Sequence, residues 1–131
     1  MPLFTALKHN AVNMPVNEHI TELSIKGSLS QELLLFPIIS HLTSMDTTRW
    51  VTWINPPRLD RNKLKEFGLD QCPILIINTR SQNETNKLLL RCLNNGKSNT
   101  VIANISNSQT LDHHQINFAA GKGNSRCLLI H

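Results

Sequence analysis

The chain has 131 residues, of which 40% are hydrophobic, and it carries a formal net charge of +4. This length suits one domain with its own core, and the mild positive charge favours acidic partners but falls short of a dedicated nucleic-acid arm. No segment approaches the roughly 18 apolar residues of a membrane span and the N-terminus lacks signal-peptide features, so we expect a cytoplasmic protein without membrane contact.

The N-terminal part divides into an arm and the start of a domain. Residues 1–18 follow neither a helical nor a strand period, and we interpret them as a loose arm. We interpret residues 19–131 as a single domain. Its pattern opens with an imperfect strand at residues 20–26, a break at Gly27, and a helix at about residues 30–44.

The first predicted helix has its own start and burial signals. Ser28 or Ser30 is expected to cap it, with Glu32 in the first turn, where the helix dipole favours an acidic residue. A proline in the middle of the pattern predicts a kink or a break. The apolar residues at helical spacing predict one buried face: Leu33, Leu34, Pro37, Ile38 and Leu42.

The second strand is predicted at residues 50–55, where it ends at Pro56 and Pro57 because proline cannot donate to a sheet ladder. Trp50 and Trp53 lie three apart in this strand and therefore face opposite sides. We expect one of them to pack in the core, which leaves the other available to anchor an interface.

The middle of the chain repeats the alternation. Asp60 is expected to cap a short helix that ends at Phe67, with Gly68 as its C-terminal stop. The continuous apolar run at residues 73–78 (PILIIN) indicates a central strand buried on both faces. A third helix follows at residues 81–95. Its predicted inward-facing residues are Leu88, Leu89, Cys92 and Leu93.

The last part predicts a strand at residues 100–105, a helix at residues 111–120, and a final strand at residues 127–130 reached through a turn at Gly121 and Gly123. Strands that alternate with helices at such intervals are typical of parallel sheets covered on both faces. We therefore predict an α/β fold: a three-layer α/β/α sandwich with a mainly parallel sheet of about five strands.

Ligands in such folds bind beyond the carboxyl ends of the strands, so the first strand-to-helix loop should hold any phosphate-binding motif. That loop, residues 27–30, has one glycine and no following lysine, and it is too short to wrap phosphates. Gly96, Lys97 and Ser98 imitate the end of a P-loop but follow a helix and precede a strand, which is the reverse of the required order. We predict a degenerate nucleotide site and no cofactor.

The sequence contains few signals for a metal site or a catalytic site. His113 and His114 are adjacent, so on a helix they diverge, and we interpret them as solvated surface. A small enzyme that uses them together with Asp112 is an alternative, but no nucleophile stands in a suitable context. The odd number of cysteines predicts reduced core thiols rather than disulfides or metal ligands. These are Cys72, Cys92 and Cys127.

The strongest surface feature is a basic segment after the double proline, and two interpretations of it stay open. It is either a solvated amphipathic helix that packs Leu59, Leu64 and Phe67 inward or a docking surface for an acidic protein. Its basic residues, with the arginine that precedes the second strand, are Arg49, Arg58, Arg61, Lys63 and Lys65.

Four stretches carry a family resemblance: LLLFPIISHL, RWVTWINPP, the helix end KEFGL, and the closing GNSRCLLI. Together they resemble the SulA family of cell division inhibitors of the bacterial SOS response. The resemblance implies a RecA-like fold without ATPase machinery, and a non-enzymatic protein that binds FtsZ and blocks its polymerisation. Arg49 stands where the family has an arginine implicated in inhibition. Lys63 stands where the family has a functional tryptophan, and Pro73 stands near the position where the family often has a functional lysine.

The resemblance and the basic segment together give a predicted contact set. It consists of Arg49, Arg58, Leu59, Arg61, Lys63 and Leu64. The resemblance also implies turnover by Lon protease and a homodimer formed through the sheet edge. The alternative is a RecA-related accessory of translesion repair that binds repair proteins or DNA, since such proteins share the W-[IL]-x-P-P strand end and the basic helix.

Overall fold

The computed structural model describes residues 19–106 and 111–131, so the predicted arm lies outside the described residues. Strands and helices alternate along the described part of the chain, with a single 3-10 turn at Leu69–Gln71. The elements are β1 Ile20–Leu23, α1 Ser28–Met45, β2 Trp50–Ile54, α2 Arg61–Glu66, β3 Ile74–Ile77, α3 Gln82–Asn94, β4 Ser98–Asn104, α4 His113–Gly123 and β5 Arg126–Ile130.

The strands form one sheet in the order β1-β5-β4-β2-β3, and every pair is parallel. The connections through α1 and α2 run towards β3, whereas those through α3 and α4 run back towards β1. Right-handed crossovers then put the two helix pairs on opposite faces of the sheet. The predicted α/β sandwich with five parallel strands is confirmed; the RecA-like relationship stays a prediction.

Two separate cores lie on the two faces of the sheet. The α1–α2 core contains Leu35, Phe36 and Ile39 of α1, with Trp53 of β2. The α3–α4 core contains side chains of the other two helices, among them Leu93. Alternate residues of each inner strand point to alternate cores, as the period of two requires. None of the helices in the described ranges combines the length and the apolar character that a membrane span needs.

The position of β3 in the sheet was predicted wrongly. Among residues 19–106 and 111–131 it is an edge strand that pairs with β2 alone, and Leu75 and Ile76 are 41% and 44% exposed. The central strand is β4, which is buried from Ser98 to Ala103. An apolar run favours a strand in a sheet, but the number of neighbours depends on where the crossover connections deliver it.

The first helix also differs from its prediction. It begins at Ser28, directly after Gly27, without a side-chain cap, so Glu32 falls in its second turn. It continues through Pro37, which is exposed, and it does not break there. Leu33 and Leu34 are exposed as well. From residue 30 onwards, the buried apolar residues of the helix are Leu35, Phe36, Ile38, Ile39 and Leu42.

The predicted turn at Gly121 and Gly123 is instead the last turn of α4. The chain turns one residue later, at Asn124, which adopts a left-handed conformation with φ of 51°. A Cβ on Gly123 would lie 1.7 Å from the carbonyl oxygen of Leu93 in α3. The glycine is therefore needed because the two helices approach each other closely at this point.

The two middle helices agree with their predictions. Ser81 caps α3 by accepting a hydrogen bond from the Glu84 amide at 3.1 Å. Asp60 caps α2, and Gly68 follows it in the left-handed conformation with φ of 72°.

Candidate partner-binding surface

The carboxyl end of β2 is held firmly by Asn55, which has a positive φ of 54°. Its Oδ1 accepts a hydrogen bond from the Thr79 amide at 2.7 Å, and its Nδ2 donates to Thr79 Oγ1 at 2.8 Å and to Thr85 Oγ1 at 3.2 Å. These bonds tie β2 to the β3–α3 connection. The rigid Pro56–Pro57 pair then leads from a fixed point towards α2.

The basic segment packs its apolar residues as the first interpretation predicts, and the docking surface stays a prediction. Leu59, Leu64 and Phe67 are half-buried and pack against the α1–α2 core. The ring of Phe67 lies 5.7 Å from that of Phe36 in an edge-to-face arrangement. The apolar side of α2 is thus used for packing, while Arg58 and Arg61 remain exposed and available to a partner.

A cleft of about 580 Å³ opens beside the start of α2. Its lining residues are Glu32, Arg58, Leu59, Asp60 and Arg61. The cleft therefore contains three members of the predicted contact set, together with two acidic residues that the prediction did not include. Lys63 and Leu64 are half-buried further along α2 and do not line it.

Glu32 is the residue that sequence reasoning missed. It is only 5% exposed, and its Oε2 is buried without a hydrogen-bond partner among the described residues. A signal was present, because an acidic residue directly precedes the apolar run from Leu33 to Ile39. From the sequence, Glu32 is assigned to the first helical turn, where an acidic residue is expected, and this assignment gives no reason to predict its burial.

Arg49 directly precedes β2, a five-residue strand about 16 Å long, whereas four of the cleft residues follow the carboxyl end of that strand. Its Nε donates to Asp46 Oδ2 at 2.7 Å, and its Nη1 donates to the carbonyl oxygens of Asn124 at 2.8 Å and Ser98 at 3.4 Å. These bonds join the end of α1 to the starts of β4 and β5. The structure therefore does not bring Arg49 together with the cleft arginines.

The partner of this arginine is strongly acidic. Hydrogen bonds from the Thr48 hydroxyl, then from Arg49, and then from the Thr48 amide lower the pKa of Asp46 from 3.8 to about 2. Next to this cluster, Trp50 is 46% exposed, while Trp53 is buried and donates from Nε1 to Asn104 Oδ1 at 2.7 Å. The prediction that one tryptophan packs in the core is confirmed, and an interface role for the exposed Trp50 stays a prediction.

The P-loop imitation at Gly96 to Ser98 is part of the sheet architecture. Gly96 has a positive φ of 73° after the end of α3, and Ser98 is the first residue of β4. The Ser98 hydroxyl is buried 2.7 Å from Thr52 Oγ1. This serine is therefore engaged inside the protein rather than presented to a phosphate.

The Asp112–His113–His114 group does not converge on a common point. Asp112 caps α4 by accepting hydrogen bonds from the amides of His114 and Gln115 at 3.0 and 3.2 Å. His113 is not free surface, because its Nε2 contacts Glu22 Oε1 of β1. Within residues 19–106 and 111–131, no group of three His, Cys, Asp or Glu residues is arranged to hold a metal ion.

Comparison with known proteins decides the family. The family model described as "Cell division inhibitor SulA" matches residues 19–127, most of the chain. The chain belongs to the SulA family of cell division inhibitors. The resemblance stated from the sequence is therefore confirmed.

Individual members of the SulA family agree with this assignment. SulA of Pseudomonas aeruginosa is 30% identical over 112 residues, which cover 84% of this chain and 70% of that protein. SulA of Cronobacter sakazakii is 29% identical over 101 residues, or 76% of this chain and 59% of that protein. The match thus spans 59% to 70% of the lengths of these two relatives.

The fold agrees as well. The crystal structure of SulA from Pseudomonas aeruginosa superimposes with a TM-score of 0.73 at 28% sequence identity. The superposition covers 87% of this chain and 98% of that one.

Proposed function

We propose that this protein is an SOS-induced inhibitor of cell division that binds FtsZ in the cytoplasm and blocks its polymerisation without catalysis. Membership of the SulA family over residues 19–127 is the observation that carries the proposal. We extend the proposal to turnover by Lon protease and to a homodimer, which the family resemblance implies.

The mechanism needs only occupancy of a surface. Head-to-tail polymerisation uses a heterologous interface, in which one end of each subunit accepts the opposite end of the next. A rigid domain bound to one of these ends prevents addition of the next subunit. Inhibition then follows from affinity and stoichiometry.

The proposed contact set has a principal part on the α2 side of the sheet. Arg58 and Arg61 are exposed beside the cleft, and they flank Asp60, whose side chain caps the start of α2. Arginine is suited to this role because its planar group makes directional contacts to carboxylates. Leu59, Lys63 and Leu64 would contribute their exposed portions, and Arg49 forms a second contact point at the other end of β2.

The experiment is GTP-dependent assembly of the host's FtsZ, followed by light scattering while the protein is titrated in. We expect the signal to disappear near one inhibitor per FtsZ. The test variant is Arg58→Glu with Arg61→Glu, expected to weaken inhibition at least tenfold. The matched control is Lys87→Glu with Arg91→Glu, which changes the charge equally at two exposed positions of α3 on the opposite face of the sheet.

The outcomes separate the parts of the proposal. An unchanged signal at several-fold excess of the wild-type protein would reject FtsZ inhibition and favour the repair-accessory alternative, which predicts salt-sensitive DNA binding. Equal inhibition by the wild type and the α2 double variant would reject the proposed surface while FtsZ inhibition stands. Arg49→Glu is unsuitable as a first test, because it would remove three hydrogen bonds and alter stability.

A further inference from the structure

The burial of Glu32 is expected to lower the stability of the folded protein. A carboxylate taken out of water without hydrogen-bonded or charged partners is unfavourable. The two other buried polar side-chain atoms without a partner in the described residues belong to Asn99 and Thr100 in β4. Glu32 differs from them because it lines an open cleft that a partner can reach.

The arginines of the cleft do not neutralise Glu32. The ion pairs found in the described part of the chain involve Asp46 and Glu22, and none joins Glu32 to Arg58 or Arg61. One oxygen of Asp60 accepts the hydrogen bond from the Asn62 amide at 2.8 Å. The cleft thus has a buried acceptor and an exposed cationic rim, with two acidic and two basic side chains in total.

We propose that this cleft receives an arginine or lysine side chain of the partner protein on Glu32, while an acidic residue within one helical turn of that side chain meets Arg58 or Arg61. The partner segment therefore carries neighbouring charges of both signs and little net charge. The inference rests on the proposed function for the identity of the partner, FtsZ, and on the cleft itself for the chemistry.

Such an arrangement provides selectivity. A partner that lacks the basic residue would exclude water from the Glu32 carboxylate without pairing it, and the uncompensated charge would weaken binding. The correct partner supplies the opposite charge and the hydrogen bonds. The arginines add attraction to the acidic neighbour and discourage a segment that is basic throughout. Glu32 is thus a specificity-determining residue, and the unfavourable placement that it imposes on the free protein is compensated only in the complex.

The test compares Glu32→Gln with the matched control Glu66→Gln, an equal charge change at an exposed position of α2. Binding to FtsZ is measured together with the thermal unfolding midpoint. We expect Glu32→Gln to raise the midpoint, because an amide is less costly to bury than a carboxylate, and to weaken binding at least tenfold. Glu66→Gln should leave both quantities at their wild-type values. Wild-type affinity in Glu32→Gln, or a lowered midpoint with unchanged affinity, overturns the inference and leaves FtsZ inhibition intact.

A second measurement does not depend on FtsZ. The side-chain carboxyl carbons of ¹³C-labelled glutamates are followed by NMR while N-acetyl-arginine amide is added. We expect the Glu32 signal to shift to saturation and the Glu66 signal to stay near its starting position. If FtsZ does not bind the wild-type protein, the proposed function fails, and this titration alone decides the cleft. A Glu32 signal that does not move further than that of Glu66 overturns the inference.

Discussion

Replacement of Gly123 by alanine tests the close approach of α3 and α4. The added Cβ would lie 1.7 Å from the Leu93 carbonyl oxygen and 2.9 Å from its carbonyl carbon. Ordinary carbon–oxygen contacts are near 3.3 Å, so the helices must separate by about 1.5 Å. Because the obstacle is main chain and cannot rotate away, we take the upper end of the overpacking range, about 3 kcal/mol.

Helix propensity works in the opposite direction. Alanine is favoured over glycine within a helix by about 1 kcal/mol, so the net loss in the free energy of unfolding is about 2 kcal/mol. For a domain of this size, the loss corresponds to a fall in the thermal midpoint of roughly 8 °C. The matched control is Gly121→Ala, since Gly121 lies in the same helix, is exposed, and would bring its Cβ only to 3.4 Å from Nε2 of the His19 side chain.

The assay is urea-induced unfolding of the wild type and the two alanine variants, with the slopes checked for equality. Gly121→Ala should be neutral or more stable by up to about 1 kcal/mol, and the two variants should therefore differ by about 2 to 3 kcal/mol. If both variants unfold within about 1 kcal/mol of each other, the helices do not approach as closely as described, and the reasoning from Gly123 is refuted.

Two further predictions concern titratable groups. The pKa of the Asp46 carboxyl is lowered from 3.8 to about 2 in the folded protein. Ionised Asp46 therefore stabilises the fold above pH 3.8, and this stabilisation is lost as the pH falls towards 2. The thermal midpoints of the wild type and Asp46→Asn should therefore differ at pH 7 and converge near pH 2, and a gap that stays constant would contradict this. Burial raises the thiol pKa of Cys92 and of Cys127, so native protein treated with a thiol reagent at pH 8 should be labelled first at the half-buried Cys72. Earlier labelling of either buried thiol, read by mass spectrometry, would show that the core opens readily.

The order of strands and helices could be predicted because each element has a local signal. The cap Asp60 and the stop Gly68 lie where local chemistry defines helix ends, and the structure confirms them, as it confirms the third helix, which Ser81 caps. The position of β3 could not be predicted, because the apolar run at residues 73–78 fits an edge strand as well as a central one. Only the complete set of crossovers decides how many neighbours a strand has.

The errors in the helices have a different origin. In α1 nearly every position from Leu33 to Ile39 is apolar, so spacing alone cannot select the buried face, and the sheet selects it. Gly123 resembles a turn residue in the sequence, whereas its role depends on α3, about 30 positions earlier along the chain. Part of the cleft could be predicted: the charges of Arg58 and Arg61 indicate a surface for a partner. The acidic residue before the apolar run of α1 is a weaker signal, and it does not by itself place Glu32 in the cleft.

The separation of the α1–α2 core from the α3–α4 core affects how this protein can change over generations. Apart from Arg49, the proposed recognition residues lie beside α1 and α2, and the sheet stands between them and the packing of the other two helices. Substitutions at distant, independent sites combine additively, so changes beside the cleft leave the stability supplied by the far core in place. If the protein acts by the proposed mechanism, substitutions on the α1–α2 face can keep pace with changes in the partner's surface while the opposite face keeps the protein folded.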